Sequence, residues 1–297
     1  MADSMSGPRP AGRHRFRAAR AAISACALVL ALAGLARAQD RLSETVRIPL
    51  DRIEMTTELH RPAGPGPFPV VVFAHGRPVD HHGRTALARS IPRDQATFWV
   101  RRGFAVVAPF RPGYGPTGGT DVEALHARNC ERTPDYRRIA EAAGRPVEAA
   151  IAWVQQQPWA RRDRILLVGT SVGALGVLAA ATRQPEGVVA YIDFSGGAGA
   201  LPRHSPGRPC RPDIATALFA EYGRSVRIPG LWLYAENDLA WGPDVPKTWH
   251  KAFAEGGARS SFVMTPAVPG VDGNLLMLRG QKLWAPIVRG FIASLMF

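Results

Sequence analysis

The sequence predicts an α/β fold in which a mostly parallel central sheet carries helices on both faces. Three observations lead there. From Thr45 onward, short β-branched runs alternate with helical patterns. Central runs such as Pro69 to Ala74 (PVVVFA) are apolar throughout, as strands covered on both faces are. The chain has 297 residues, 46% of them hydrophobic, which is enough for one large core.

Residues 1–38 stand apart. Arg9, Arg13, Arg15, Arg17 and Arg20 lead into the apolar run AAISACALVLALAGLA, followed by Ala36-Arg37-Ala38. This reads as a secretory signal peptide with a small-x-small cleavage site, leaving residues 39–297 as a single domain exported to the periplasm or the outside. A membrane anchor is the competing reading, but the apolar run is shorter than the ~20 residues a spanning helix needs. No stable membrane insertion is therefore expected after cleavage. Ile23-Ser24-Ala25-Cys26 has the look of a lipoprotein box, yet Arg20 leaves almost no apolar run ahead of it.

Cleavage would remove Cys26 and six arginines, leaving Cys130 and Cys210. In an oxidising compartment that pair reads either as a disulfide or as two small buried thiols. The formal charge of +13 comes mainly from arginines scattered along the chain. Nucleic-acid binding would require clustered cations with interleaved aromatics, so no nucleic-acid partner is expected.

The elements follow in order. Strands are expected at Thr45 to Leu50, Met55 to Arg61, Pro69 to Ala74, Phe104 to Pro109 and Arg164 to Gly169, then at Val188 to Phe194, Gly230 to Ala235 and Ser261 to Thr265. Ile139, Ala143, Val147, Ile151 and Val154 recur at intervals of four, four, four and three, which puts them on one face of a helix. A second helix starts after Ser171 and a third occupies Trp284 to Leu295. Gly196 to Pro212, rich in glycine and proline, reads as a loop, either a lid over the site or an ordinary connection.

Gly169-Thr170-Ser171-Val172-Gly173 fits G-x-S-x-G directly after an expected strand and at the start of a helix. In that context the serine sits on a strained turn as a nucleophile, and small neighbours let strand and helix approach. After the strand PVVVFA come His75-Gly76-Arg77, so the backbone N–H groups of Arg77 and Val172 are the candidate oxyanion donors. His75 reads as a loop-holding residue rather than a base. Glu236-Asn237-Asp238 closes the strand GLWLYA and presents a carboxylate at the same sheet edge; Asp238 is the candidate acid, ahead of Glu236.

Taken together, HGRP, RRGFAVVAPFRPGYG, GTSVG, LWLYAEND, PGVDGNLLM and a later LW resemble, in order and spacing, the bacterial, secreted type of the dienelactone hydrolase family within the α/β-hydrolase superfamily. The resemblance implies an α/β-hydrolase fold and cleavage of a small ester or lactone by a Ser-Asp-His triad, without metal or organic cofactor. The loop from Arg111 to Gly115 resembles one that shapes the pocket in that family, though an ordinary turn accounts for it equally well.

One position departs from the pattern. Where the family has Asp-Gly-His, this chain has Asp272-Gly273-Asn274, and an amide cannot take the serine proton and return it. His250 falls in a helical stretch behind the sheet edge, whereas His81 and His82 follow the oxyanion segment and are the candidate substitute bases. Two functions are expected to compete: a slow serine esterase, and a catalytically inactive protein that holds a carbonyl ligand or a partner in the retained pocket.

Overall fold

The computed structural model describes residues 42–127 and 132–295, together with Met1. The expected signal peptide, with Cys26, and the expected disulfide position Cys130 lie outside the described residues. From Leu42 onward the chain forms one compact unit.

Eight strands form one sheet: β1 (Leu42–Leu50), β2 (Ile53–Arg61), β3 (Phe68–Ala74), β4 (Ala105–Pro109), β5 (Ala160–Thr170), β6 (Val188–Phe194), β7 (Gly230–Ala235) and β8 (Ser260–Thr265). Their spatial order is β1-β2-β4-β3-β5-β6-β7-β8. The β1–β2 and β2–β4 pairs are antiparallel, and every later pair is parallel. All eight expected strands are present. β5 begins at Ala160, ahead of the apolar run RILLVG, because Phe68 of β3 already pairs with Ala160 there.

Alternation along each strand divides the core. Val70, Val72, Ile165, Leu167, Trp232 and Tyr234 pack on one face, while Val71, Phe73, Leu166, Val168, Leu231 and Leu233 pack on the other. The first face is covered by a helix at Tyr136–Val154, whose stripe from Ile139 to Val154 is buried as its spacing predicts, and by a helix at Val172–Ala181, buried along its whole length. The opposite face is covered partly by the helix Gln281–Ser294, which contributes Trp284 and Val288.

Helices that the sequence reading did not assign lie at His81–Thr85, Arg93–Val100 and Val122–Ala127, all short, and at Pro212–Ser225, which has 14 residues. His81 and His82 thus stand on a helical turn rather than in an open loop. Asp80 caps that turn, its side chain accepting from the Gly83 N–H. Residues 196–211 connect β6 to the helix Pro212–Ser225 without regular structure. Among the described residues, no helix is long and apolar enough to cross a membrane.

Candidate active site

Parallel strands deliver their C-terminal ends to one edge of the sheet, and the sequence-predicted site residues follow β3, β5, β7 and β8 there. Ser171 has φ 52° and ψ −127°, a conformation that costs an L-residue energy and is held by its surroundings. Its N–H donates to Phe194 O at 2.9 Å, and its carbonyl accepts from Gly197 N–H at 3.3 Å. Gly169 and Gly173 make the turn possible by close approach: a Cβ on Gly173 would collide with the carbonyls of Ala74 and His75, and one on Gly169 with Ala174. The Ser171 side chain makes no cap hydrogen bond to its helix, so its Oγ is left for other chemistry.

The segment after β3 lies against this turn. A Cβ built on Gly76 would lie 3.6 Å from Ser171 Cβ and 3.6 Å from Thr170 Cγ2. Among the described residues, neither the Arg77 N–H nor the Val172 N–H donates to an acceptor. Val172 opens a helix, where free N–H groups and the helix dipole both favour negative charge. The Arg77 side chain turns away to Asp121, Glu123 and Tyr114.

His75 is fully engaged. Its Nε2 faces the Arg111 N–H at 3.2 Å and must present a lone pair, so the ring proton sits on Nδ1, 2.8 Å from Gly76 O. Burial, reinforced by the charge of Arg111, holds its pKa well below the ordinary histidine value. A neutral ring with both nitrogens occupied is a structural strut. His250 is likewise committed, 2.9 Å from Ser260 Oγ and packed on Trp232 and Phe262. His81 and His82 are exposed, and among the described residues neither side chain hydrogen-bonds to Ser171 or Asp238.

At the end of β7, Glu236 is exposed and Asp238 is buried. Asp238 Oδ1 accepts from the N–H groups of Ala240 and Trp241 at 2.8 and 3.1 Å. Asn274 Nδ2 lies 3.3 Å from Oδ2 and 3.5 Å from Oδ1. Burial raises the Asp238 pKa to about 6, against the lowering effect of these donors. The loop bearing Asn274 is fastened to β7: Asp272 Oδ1 accepts from Leu239 and Asn274 N–H, and Asn237 bonds to Val268 and Val271.

The turn after β6 joins the two halves. Phe194 and Gly197 bond to Ser171, while Trp241, whose N–H is held by Asp238, donates its Nε1 to Ser195 O at 2.9 Å. This bridge, and the arginines behind residues 75–79, escaped the sequence reading. Arg111 was visible only as part of a glycine-rich loop, and Asp193 as one polar residue inside an apolar strand. Residues 196–211 are also fastened to the loop after β7, since Gly207 N–H donates to Leu239 O at 2.7 Å. Cys210 in this stretch is disulfide-bonded.

Comparison with known proteins bears on the family and the fold. The model of the family described as X-Pro dipeptidyl-peptidase (S15 family) matches residues 51–211, a span that includes Gly76, Arg77, Ser171 and Val172. Among curated proteins none matches the chain. Solved structures share the α/β-hydrolase fold. The esterase Pf2001 of Pyrococcus furiosus superposes with a TM-score of 0.59 at 15% identity, covering 88% of this chain and 93% of that one. A dienelactone hydrolase from Anabaena variabilis gives 0.54 at 19%, covering 86% and 96%. A puromycin-hydrolyzing peptidase of Mycobacterium tuberculosis gives 0.56 at 18%, covering 86% of this chain and 39% of that one.

Proposed function

This chain belongs to the S15 family of α/β-hydrolases, and on that premise we propose that it is a slow serine hydrolase acting on a small ester or lactone through Ser171. The observation that carries the reading is the strained Ser171 turn, set against Gly76, with its hydroxyl and the N–H groups of Arg77 and Val172 uncommitted among the described residues. Attack by Oγ on an ester carbonyl forms the Oγ–C bond and moves the carbonyl electron pair onto oxygen, where the two N–H groups receive it.

The serine proton is the difficulty. Asn274 holds the place of the base beside Asp238 and has no basic lone pair, so the proton passes to water or hydroxide, or to His81 or His82 when a substrate brings them near. In a well-studied serine protease, deleting the triad histidine costs on the order of a millionfold in turnover. The family description concerns peptides, but amide cleavage needs a proton delivered to a strongly basic leaving nitrogen. An activated ester or lactone leaves without that help, which is why the reading favours esters.

A second reading has its own observation. Asn274 Nδ2 satisfies the buried Asp238 carboxylate as a structural pair would, which suits a non-catalytic protein that binds a carbonyl ligand or a partner. Under either reading residues 1–38 serve as an export leader and nucleic acid is not a partner.

The test is hydrolysis of p-nitrophenyl acetate by the chain from residue 39, compared with Ser171→Ala as blank and Asn274→His. Wild-type turnover above the blank supports the esterase. Activity only in Asn274→His supports the binding protein. Activity in neither sinks the assignment of Ser171.

A further inference from the structure

The segment carrying the Arg77 N–H is held from behind by buried guanidinium groups. Arg111 is 1% exposed; its Nη1 donates to His75 O, its Nη2 to Gly76 O at 3.4 Å and its Nε to Glu123 Oε1 at 2.6 Å. Arg84 Nη1 donates to Pro78 O at 3.2 Å and Val79 O at 3.0 Å. Four carbonyls between residues 75 and 79 are therefore taken by two arginines. The arginines are themselves fixed: Glu123 also bonds Tyr114 and Arg77, and Asp121 bridges Arg77 at 2.8 Å and Arg84 at 2.7 Å.

The orientation of one peptide unit follows. The Gly76 carbonyl receives Arg111 Nη2 and the His75 ring on one side. Gly66–Pro67 is the only cis bond among the described residues, so the Gly76–Arg77 peptide is trans. In a trans peptide the carbonyl and the following N–H point in opposite directions. Whatever pins Gly76 O thus aims the Arg77 N–H away from the network, where it has no acceptor among the described residues.

We propose that Arg111, supported by Arg84, is a positioning residue that aims the Arg77 N–H as oxyanion donor for the ester attacked by Ser171. The inference rests on the hydrolase reading of Ser171 and adds to it the part that makes the hole. Lysine at position 111 keeps the charge but lacks the fork that holds both carbonyls together with Glu123.

The experiment compares Arg111→Lys with its parent in the Asn274→His background, on p-nitrophenyl acetate, with rates normalised to Ser171 labelled exhaustively by a fluorophosphonate. The expected result is a fall in kcat of roughly 100-fold with KM changed by less than about threefold, as for loss of an oxyanion donor. A merely structural role lowers the melting temperature and the labelled fraction but leaves kcat per labelled serine unchanged, and that result overturns the proposal. So does a rise in KM at constant kcat. Should Arg111→Lys fail to fold, Arg84→Lys takes its place with a smaller drop of roughly tenfold expected. If Asn274→His is inactive, the rate of phosphonate labelling in chains that keep Asn274 gives the same comparison, with slower labelling supporting and equal rates overturning. A chain that neither labels nor hydrolyses refutes the hydrolase reading itself, and this inference with it.

Discussion

Asn274 donates from Nδ2 to the buried carboxylate of Asp238, 3.3 Å from Oδ2 and 3.5 Å from Oδ1. The amide reproduces the half of an imidazole that faces the acid and omits the half that would face the nucleophile. On the proposed reading the acid is thereby kept satisfied while the proton path from Ser171 is cut.

The pH dependence of ester hydrolysis should reveal that cut. With no titratable base, the wild-type rate is expected to climb about tenfold per pH unit through neutrality, following hydroxide. Asn274→His should instead level off once its imidazole has lost its proton, near an ordinary histidine pKa of about 6.5. A wild-type profile with a plateau near neutrality would identify another base, and replacement of His81 and His82 would then locate it.

Deacylation needs a base as much as acylation does, because water must be activated. The wild-type chain, mixed with p-nitrophenyl acetate, is expected to accumulate one acetyl group on Ser171 that outlives the same adduct in Asn274→His by at least roughly 100-fold. Intact mass measured over time checks this. Equal lifetimes in the two chains would contradict it.

Gly173→Ala places a methyl group against the carbonyls of Ala74 and His75, and backbone on both sides has little room to retreat. A loss of roughly 1–3 kcal/mol in stability is expected, as for overpacking elsewhere. Phosphonate labelling of Ser171 should fall with it, since the turn and the oxyanion segment meet there. Chemical denaturation and labelling rates test the two effects separately.

Asp193 lies between Gly169 and Trp232 in the sheet, fully buried, with its Oδ2 unpaired among the described residues. Burial pushes its pKa up to about 8, only partly offset by the Gly196 N–H. The native chain therefore holds a proton that the unfolded chain has lost between about pH 4 and pH 8. Its contribution is complete below the unfolded pKa and falls away as pH rises toward 8. Asn does not titrate, so the melting temperature of Asp193→Asn relative to wild type should rise steadily from pH 5 to pH 8, an effect worth several kcal/mol, and level off above. A pH-independent difference would show that the carboxyl is ionised in the native protein.

Much of the fold was legible because its signals are local. Apolar runs of strand length and a stripe of Ile139, Ala143, Val147, Ile151 and Val154 depend only on backbone periodicity. Gly169 and Gly173 around Ser171 announce a turn that larger residues would block. The short helices at 81–85 and 122–127 were missed because they carry too few turns to establish a period, and tertiary contacts hold them.

The sequence by itself determined the alternation of strands and helices, the identity of Ser171 and Asp238 at strand ends, and the asparagine at position 274. Only the tertiary structure decided that Arg111 and Arg84 hold the carbonyls on either side of Arg77, which partners occupy the two nitrogens of His75, and that Asp193 is buried beside the Ser171 strand. Periodicity and turn chemistry are written within a few residues. Hydrogen-bond partners and desolvation depend on which distant segments the closed sheet brings together, as Arg111 and His75 meet across 36 positions.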